Sequence, residues 1–89
     1  MRWLEIIHLR LAGENPGALV DAIRKTVDSG TDSMEVRIYR HAKLETDLIV
    51  HLHRDAAGGP KGTCELGARL ASVLREYGMV EHSVWQELG

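Results

Sequence analysis

The chain has 89 residues, which is enough for one domain around one hydrophobic core. It carries 11 lysine and arginine residues against 13 aspartate and glutamate residues, a formal net charge of −2, with no block of like charges. This balance disfavours electrostatic binding to nucleic acid or to an anionic membrane surface, so neither partner is predicted.

The first predicted element is a strand over residues 3–12, an aliphatic run that ends at Gly13. A helix follows, in which Asn15 is the predicted N-cap and Pro16 lies in the first turn. Up to Gly30, apolar residues recur at the three- and four-residue spacing of an amphipathic helix. They are Leu19, Val20, Ile23 and Val27.

Two alternating runs, residues 33–42 and 47–54, predict the second and third strands. The apolar sets are Met34, Val36 and Ile38 in the first run and Leu48, Val50 and Leu52 in the second. The opposite sets are Glu35, Arg37, Tyr39 and His41, and then Ile49, His51 and His53. Because only the short segment 43–46 separates the runs, they should form a β-hairpin.

A turn-rich loop over residues 56–62 leads to a second helix, which is predicted to end at Gly78 as a left-handed C-cap. The apolar stripe of this helix is Leu66, Leu70, Val73, Leu74 and Tyr77. Residues 79–88 alternate again and predict the fourth strand.

The resulting order, βαββαβ, predicts an α+β ferredoxin-like sandwich over residues 1–89, a single domain. The right-handed crossover rule gives a four-stranded antiparallel sheet of order 4-1-3-2. Strands one and three are then central, and both helices cover one face of the sheet.

Period-two alternation assigns each side chain of the sheet to the helix-covered face or to the open face. The predicted core side chains outside the hairpin are Trp3, Ile7, Leu9 and Leu11 in the first strand and Val80, Val84 and Leu88 in the last. On the open face, an apolar set, Leu4, Ile6, Tyr39, Ile49 and Trp85, lies among His8, Arg10, Arg37, His51 and His53. A mixed patch of this kind indicates an interface or a ligand site.

The element order and the closing stretch LREYGMVEHSVWQEL, residues 74–88, resemble the dimeric α/β-barrel families at the level of fold. Those families include cofactor-free monooxygenases of antibiotic biosynthesis. The resemblance implies a homodimer with stacked open faces. It carries no activity to this chain, because no functional motif of those families is matched.

Three of the five histidines, His8, His51 and His53, share the open face. They are candidate nitrogen ligands for zinc or another borderline metal. Alternatively, one of them beside Arg10 or Arg37 could act as general base on a small acidic substrate. Since no diagnostic spacing or catalytic triad is present, the principal prediction is that they are polar residues of an interface, with no metal and no cofactor.

Two other features of the sequence are candidate sites. The glycine-rich segment 58–63, which contains Lys61, could bind phosphate, but it does not match a P-loop, and a connector with Thr63 as N-cap is predicted instead. Cys64 falls in the first turn of the second helix, where the helix dipole could lower a thiol pKa. No base is placed beside it by sequence, so a non-catalytic thiol is predicted.

A cytoplasmic location is predicted, because the lone Cys64 has no partner for an internal disulfide and no apolar leader or membrane span is evident. The sequence therefore predicts a small homodimer that acts as a structural or small-ligand-binding module through its open face. The alternatives are a small cofactor-independent, monooxygenase-like enzyme with a His- and Arg-lined cavity, and a histidine-based metal-binding protein.

Overall fold

The structure, a computed structural model, describes residues 2–11, 16–28, 35–43, 46–55 and 64–88. Its elements are β1 (Arg2–Leu11), α1 (Pro16–Asp28), β2 (Glu35–Arg40), β3 (Asp47–Asp55), α2 (Glu65–Leu74) and β4 (Gly78–Gln86). This order confirms the predicted βαββαβ arrangement. None of the helices in these ranges is long and apolar enough to cross a membrane.

The four strands form one sheet of order β2-β3-β1-β4, which is the predicted order read from the other edge. Every neighbouring pair is antiparallel. In the centre of the sheet, Ile7 of β1 lies opposite Val50 of β3 and opposite His82 of β4. The ferredoxin-like fold is therefore confirmed, including the central position of β1.

The hydrophobic core lies between the sheet and the two helices. The side chains of this buried cluster are Ile7, Leu9, Leu19, Ile23, Leu48, Val50, Leu52, Leu66, Leu70, Ala71 and Leu74. The sheet residues in it come from alternate positions of β1 and β3, as the period-two pattern predicted. The opposite positions of both strands consequently form the open face.

The structure differs from prediction at two element ends. Leu88 was predicted to be a core residue, but β4 ends at Gln86 and Leu88 is 91% exposed. The C-cap predicted at Gly78 is also wrong, because α2 ends at Leu74 with Arg75 as C-cap and Gly78 begins β4. Backbone N–H groups that bond to carbonyls three residues back tighten this last turn.

Several predicted features fall outside the described residues. They are the N-cap Asn15, the glycines at positions 13 and 30, Met34, and the loop of residues 56–62 with the phosphate-binding candidate segment 58–63, including Lys61. The side chain of Leu11 also lies outside them. The N-cap predicted at Thr63 is wrong, because Cys64 is the N-cap of α2.

Candidate functional site

The open face of the sheet brings together all the residues predicted for an interface or a histidine site. Strand register sets them in rows across β2, β3 and β1: Glu35, His53 and Leu4; Arg37, His51 and Ile6; Tyr39, Ile49 and His8. On β4, Trp85 lies beside Leu4. Tyr39 and Trp85 are 43% and 59% exposed, and Met79 of β4, which was not predicted as part of this surface, is 75% exposed.

His8 is directed to Asp47, a carboxylate that was not among the predicted site residues. Its Nε2 lies 3.1 Å from Oδ2 of Asp47, and Nε of Arg10 lies 3.9 Å from the same oxygen. Asp47 is only 9% exposed and occupies the same face as Ile49 and His51. His8 and Arg10 are thereby held at one end of the face.

His51 and His53 are neighbours on β3, with ring centroids 6.0 Å apart, and Tyr39 stacks at a tilt on His51 with centroids 4.8 Å apart. Burial, assisted by the charge of a protonated His53, lowers the pKa of His51. Nε2 of His53 is buried and has no hydrogen-bond partner among the described residues.

Within the described ranges, no three His, Cys, Asp or Glu side chains are placed to hold a metal ion. His8, His51 and His53 share a face but do not gather around one point in this way. Arg37, the other predicted guanidinium of a catalytic site, donates from Nε to Oε1 of Glu35 at 2.7 Å. This contact lowers the pKa of Glu35 and raises that of Arg37.

A cavity of about 300 Å³ opens at the other end of the face, where β1 begins and β4 ends. It is lined by Arg2, Trp3, Leu4, His53, Trp85, Gln86 and Glu87. A second hollow of about 220 Å³ shares Arg2, Trp3 and His53 with it. Like Nε2 of His53, Nε1 of Trp3 is buried without a hydrogen-bond partner among the described residues.

A larger groove of about 610 Å³ lies between α1 and β2, against Val20, Arg24 and Ile38. Its described walls contain no histidine. Of the predicted site residues, His53 lines the smaller cavity together with Arg2, whereas none lines this groove.

On the helix-covered face, a buried polar cluster surrounds Glu5, which is 0% exposed. One carboxylate oxygen accepts the backbone N–H of Cys64 at 3.0 Å and lies 3.3 Å from Nη2 of Arg54. The other lies 2.6 Å from Nε2 of His82. Gly67 of α2 leaves room for this carboxylate, since a Cβ at that position would lie 1.7 Å from Oε2 of Glu5.

Cys64 is the N-cap of α2, and its Sγ accepts the backbone N–H of Gly67 at 3.2 Å. Burial raises the pKa of the thiol, and the lowering effect of the Gly67 N–H is smaller. The pKa of the Cys64 thiol is thus raised, whereas a helix dipole would lower it. This environment disfavours a thiolate.

The arrangement defines a ferredoxin-like βαββαβ protein with one sheet face uncovered among the described residues. No protein family and no curated protein matches the sequence. Among solved structures, the chain is similar to "Structure of Rv0793 from Mycobacterium tuberculosis", with a TM-score of 0.61 and 15% sequence identity, over 100% of this chain and 97% of that one. At this identity the likeness establishes the fold and no activity.

Proposed function

We propose that this chain is a small homodimeric ligand-binding protein, which pairs through its open sheet face and retains a ligand cavity at the end of that face. The observation that carries the proposal is the exposure of Tyr39, Trp85 and Met79 on the sheet face opposite the helices. With Leu4, Ile6 and Ile49 on the strands between them, these side chains give the face an apolar surface of the kind that marks an interaction site.

A second copy of the chain is the partner that best suits this surface. Ile6 and Ile49 lie near its centre beside His51 and His8, while the Arg37–Glu35 pair and the Asp47 contacts lie toward its edges. Protein interfaces commonly carry charged pairs at the rim, and a two-fold dimer needs only one self-complementary patch. A chain of this length also buries a small share of its surface alone, so pairing adds substantially to its stability.

Binding is favoured over nucleophilic catalysis by the walls of the cavity. The described residues that line it include no serine, threonine or cysteine. They do include an imidazole, a guanidinium and two indole rings, which are groups that recognise and orient a ligand.

The dimer is tested by placing a charge at the centre of the open face. Ile49→Asp should raise the dimer dissociation constant by at least about 100-fold, because pairing would then bury an unpaired carboxylate. Ser72→Asp, at an exposed position of α2, is the matched control and should leave the dimer intact. Light scattering coupled to size exclusion should give twice the 9.9 kDa chain mass for the wild type and the control. A monomeric wild type, or a dimeric Ile49→Asp variant, would contradict the proposal.

A further inference from the structure

Trp3 and His53, which line the cavity at the start of β1, each carry a buried nitrogen atom that is not hydrogen-bonded to any described residue, Nε1 of Trp3 and Nε2 of His53. Folded proteins pair almost all such groups, and leaving one unpaired costs about 1–3 kcal/mol. An indole N–H can only donate, and the imidazole nitrogen can donate in the appropriate tautomer. The ligand that fits these atoms therefore presents hydrogen-bond acceptors.

The charged side chains that line the cavity are Arg2 and Glu87, and the guanidinium of Arg2 favours an anionic acceptor. Arg54, which borders the smaller hollow, already contacts Glu5, and Glu35 is held by Arg37. Arg2 is exposed at the wall of both hollows and forms no ion pair with a described carboxylate. It is thus the guanidinium available to a ligand, and a carboxylate is the group that matches its planar donors.

The remaining walls favour a flat apolar body. Leu4 and Trp85 lie side by side across β1 and β4. Nε1 of Trp85 already donates to Oγ of Ser83 at 2.8 Å, so the indole can offer its apolar ring to a ligand while its polar atom remains satisfied. With about 300 Å³ available, the space suits one or two fused rings.

We propose that this cavity binds a small aromatic carboxylate, whose anionic group meets Arg2 and the N–H of Trp3 and whose ring packs against Leu4 and Trp85. The inference rests on the ligand-binding part of the proposed function and names the class of ligand. It does not depend on dimerisation, since all of these residues belong to one chain.

Both tryptophans of the chain line this cavity, so the two indole N–H signals in a ¹H–¹⁵N correlation spectrum report on it directly. Titration with 1-naphthoate should move the signal of Trp3 downfield in a saturable manner, as its N–H gains an acceptor. Trp3→Phe assigns this signal by removing it. The neutral isostere 1-naphthamide should bind at least about tenfold more weakly, because it lacks the charge.

Two arginines of β1 supply a matched pair of variants. Arg2→Gln should weaken naphthoate binding by about tenfold, whereas Arg10→Gln, the same change of charge at the far end of the strand, should leave it unchanged. The absence of a saturable shift, equal affinity for the amide, or equal losses in the two variants would overturn the inference. The comparison of naphthoate with naphthamide uses the wild type alone, so it stands even if a variant fails to fold.

Light scattering of the same samples separates this inference from the dimer proposal. A wild-type dimer whose indole signals ignore naphthoate would overturn the ligand inference and leave the dimer. A wild-type monomer with a saturable Trp3 shift would overturn the dimer and support the ligand inference.

Discussion

Glu5 is a buried carboxylate whose partners come from three other elements or their ends. Arg54 belongs to β3, His82 to β4, and the N–H of Cys64 to the start of α2. A buried charge is tolerated only where such partners compensate for lost hydration. The cluster therefore fixes the N-terminus of α2 against the sheet, and Gly67 is the residue that permits the close approach.

At Gly67 we predict the reverse of the usual preference of helices for alanine. Gly67→Ala should lower the free energy of unfolding by about 2 kcal/mol, because a methyl group would overlap the held carboxylate of Glu5. Ala68→Gly, at the next and exposed position, is the control and should lose about 1 kcal/mol through helix propensity alone. Urea denaturation measures both. A Gly67→Ala variant more stable than the wild type would contradict the role given to the glycine.

The alternation of β1 and β4 contains a sequence signal for this cluster. Glu5 alternates in phase with Ile7 and Leu9, and His82 alternates in phase with Val80 and Val84, so both were on the core side of their strands. Two ionisable residues at core positions of neighbouring strands indicate a buried pair. Their contact also depends on the register of β1 against β4, which local patterns do not determine.

At the scale of elements, alternation predicted the strands and their faces well because one face of each strand must pack against the helices. The ends of elements were predicted less well. Leu88 continues the alternation of β4, yet the strand ends at Gln86, and the next N–H, that of Glu87, donates to the carbonyl oxygen of Arg2, the first residue of β1. The contact of Asp47 with His8 was missed for the related reason that it joins side chains 39 residues apart.

We expect the free energy of unfolding to depend on pH through His51 of β3. Because burial lowers the pKa of His51 below its usual value near 6.5, the unfolded chain binds a proton more readily than the folded one. The contribution of His51 to the free energy of unfolding should therefore fall as the pH drops through the window below about 6.5.

His51→Gln should reduce this loss of stability, which urea denaturation between pH 7.5 and 5.5 would measure. His41→Gln, at an exposed position just after β2, is the matched control and should retain the dependence of the wild type. If His51→Gln and wild type lose stability equally over this range, the burial of His51 is not what makes the fold sensitive to acid.

At the scale of the whole molecule, the sequence predicted which residues form the open face but not how their polar groups are distributed along it. His8 and Arg10 meet Asp47 at one end, while His53 and Arg2 border the cavity at the other. The predicted constellation of three histidines is thus divided. Arg2 was not among the predicted site residues, because its relation to His53 and Trp85 arises only when β1, β3 and β4 are assembled.

If the open face pairs two copies, the stability of the fold must depend on protein concentration. Unfolding then includes dissociation, and mass action raises the melting temperature as the concentration rises. A tenfold increase in protein concentration raises the free energy of unfolding by about 1.4 kcal/mol per dimer, or about 0.7 kcal/mol per chain. This corresponds to a rise in melting temperature of about 3–5 °C for a domain of this size. Calorimetry over a hundredfold range of concentration should show this rise for the wild type and for Ser72→Asp. Ile49→Asp should melt at a lower temperature that does not vary with concentration, and a wild type with the same invariance would show that each chain folds and unfolds alone.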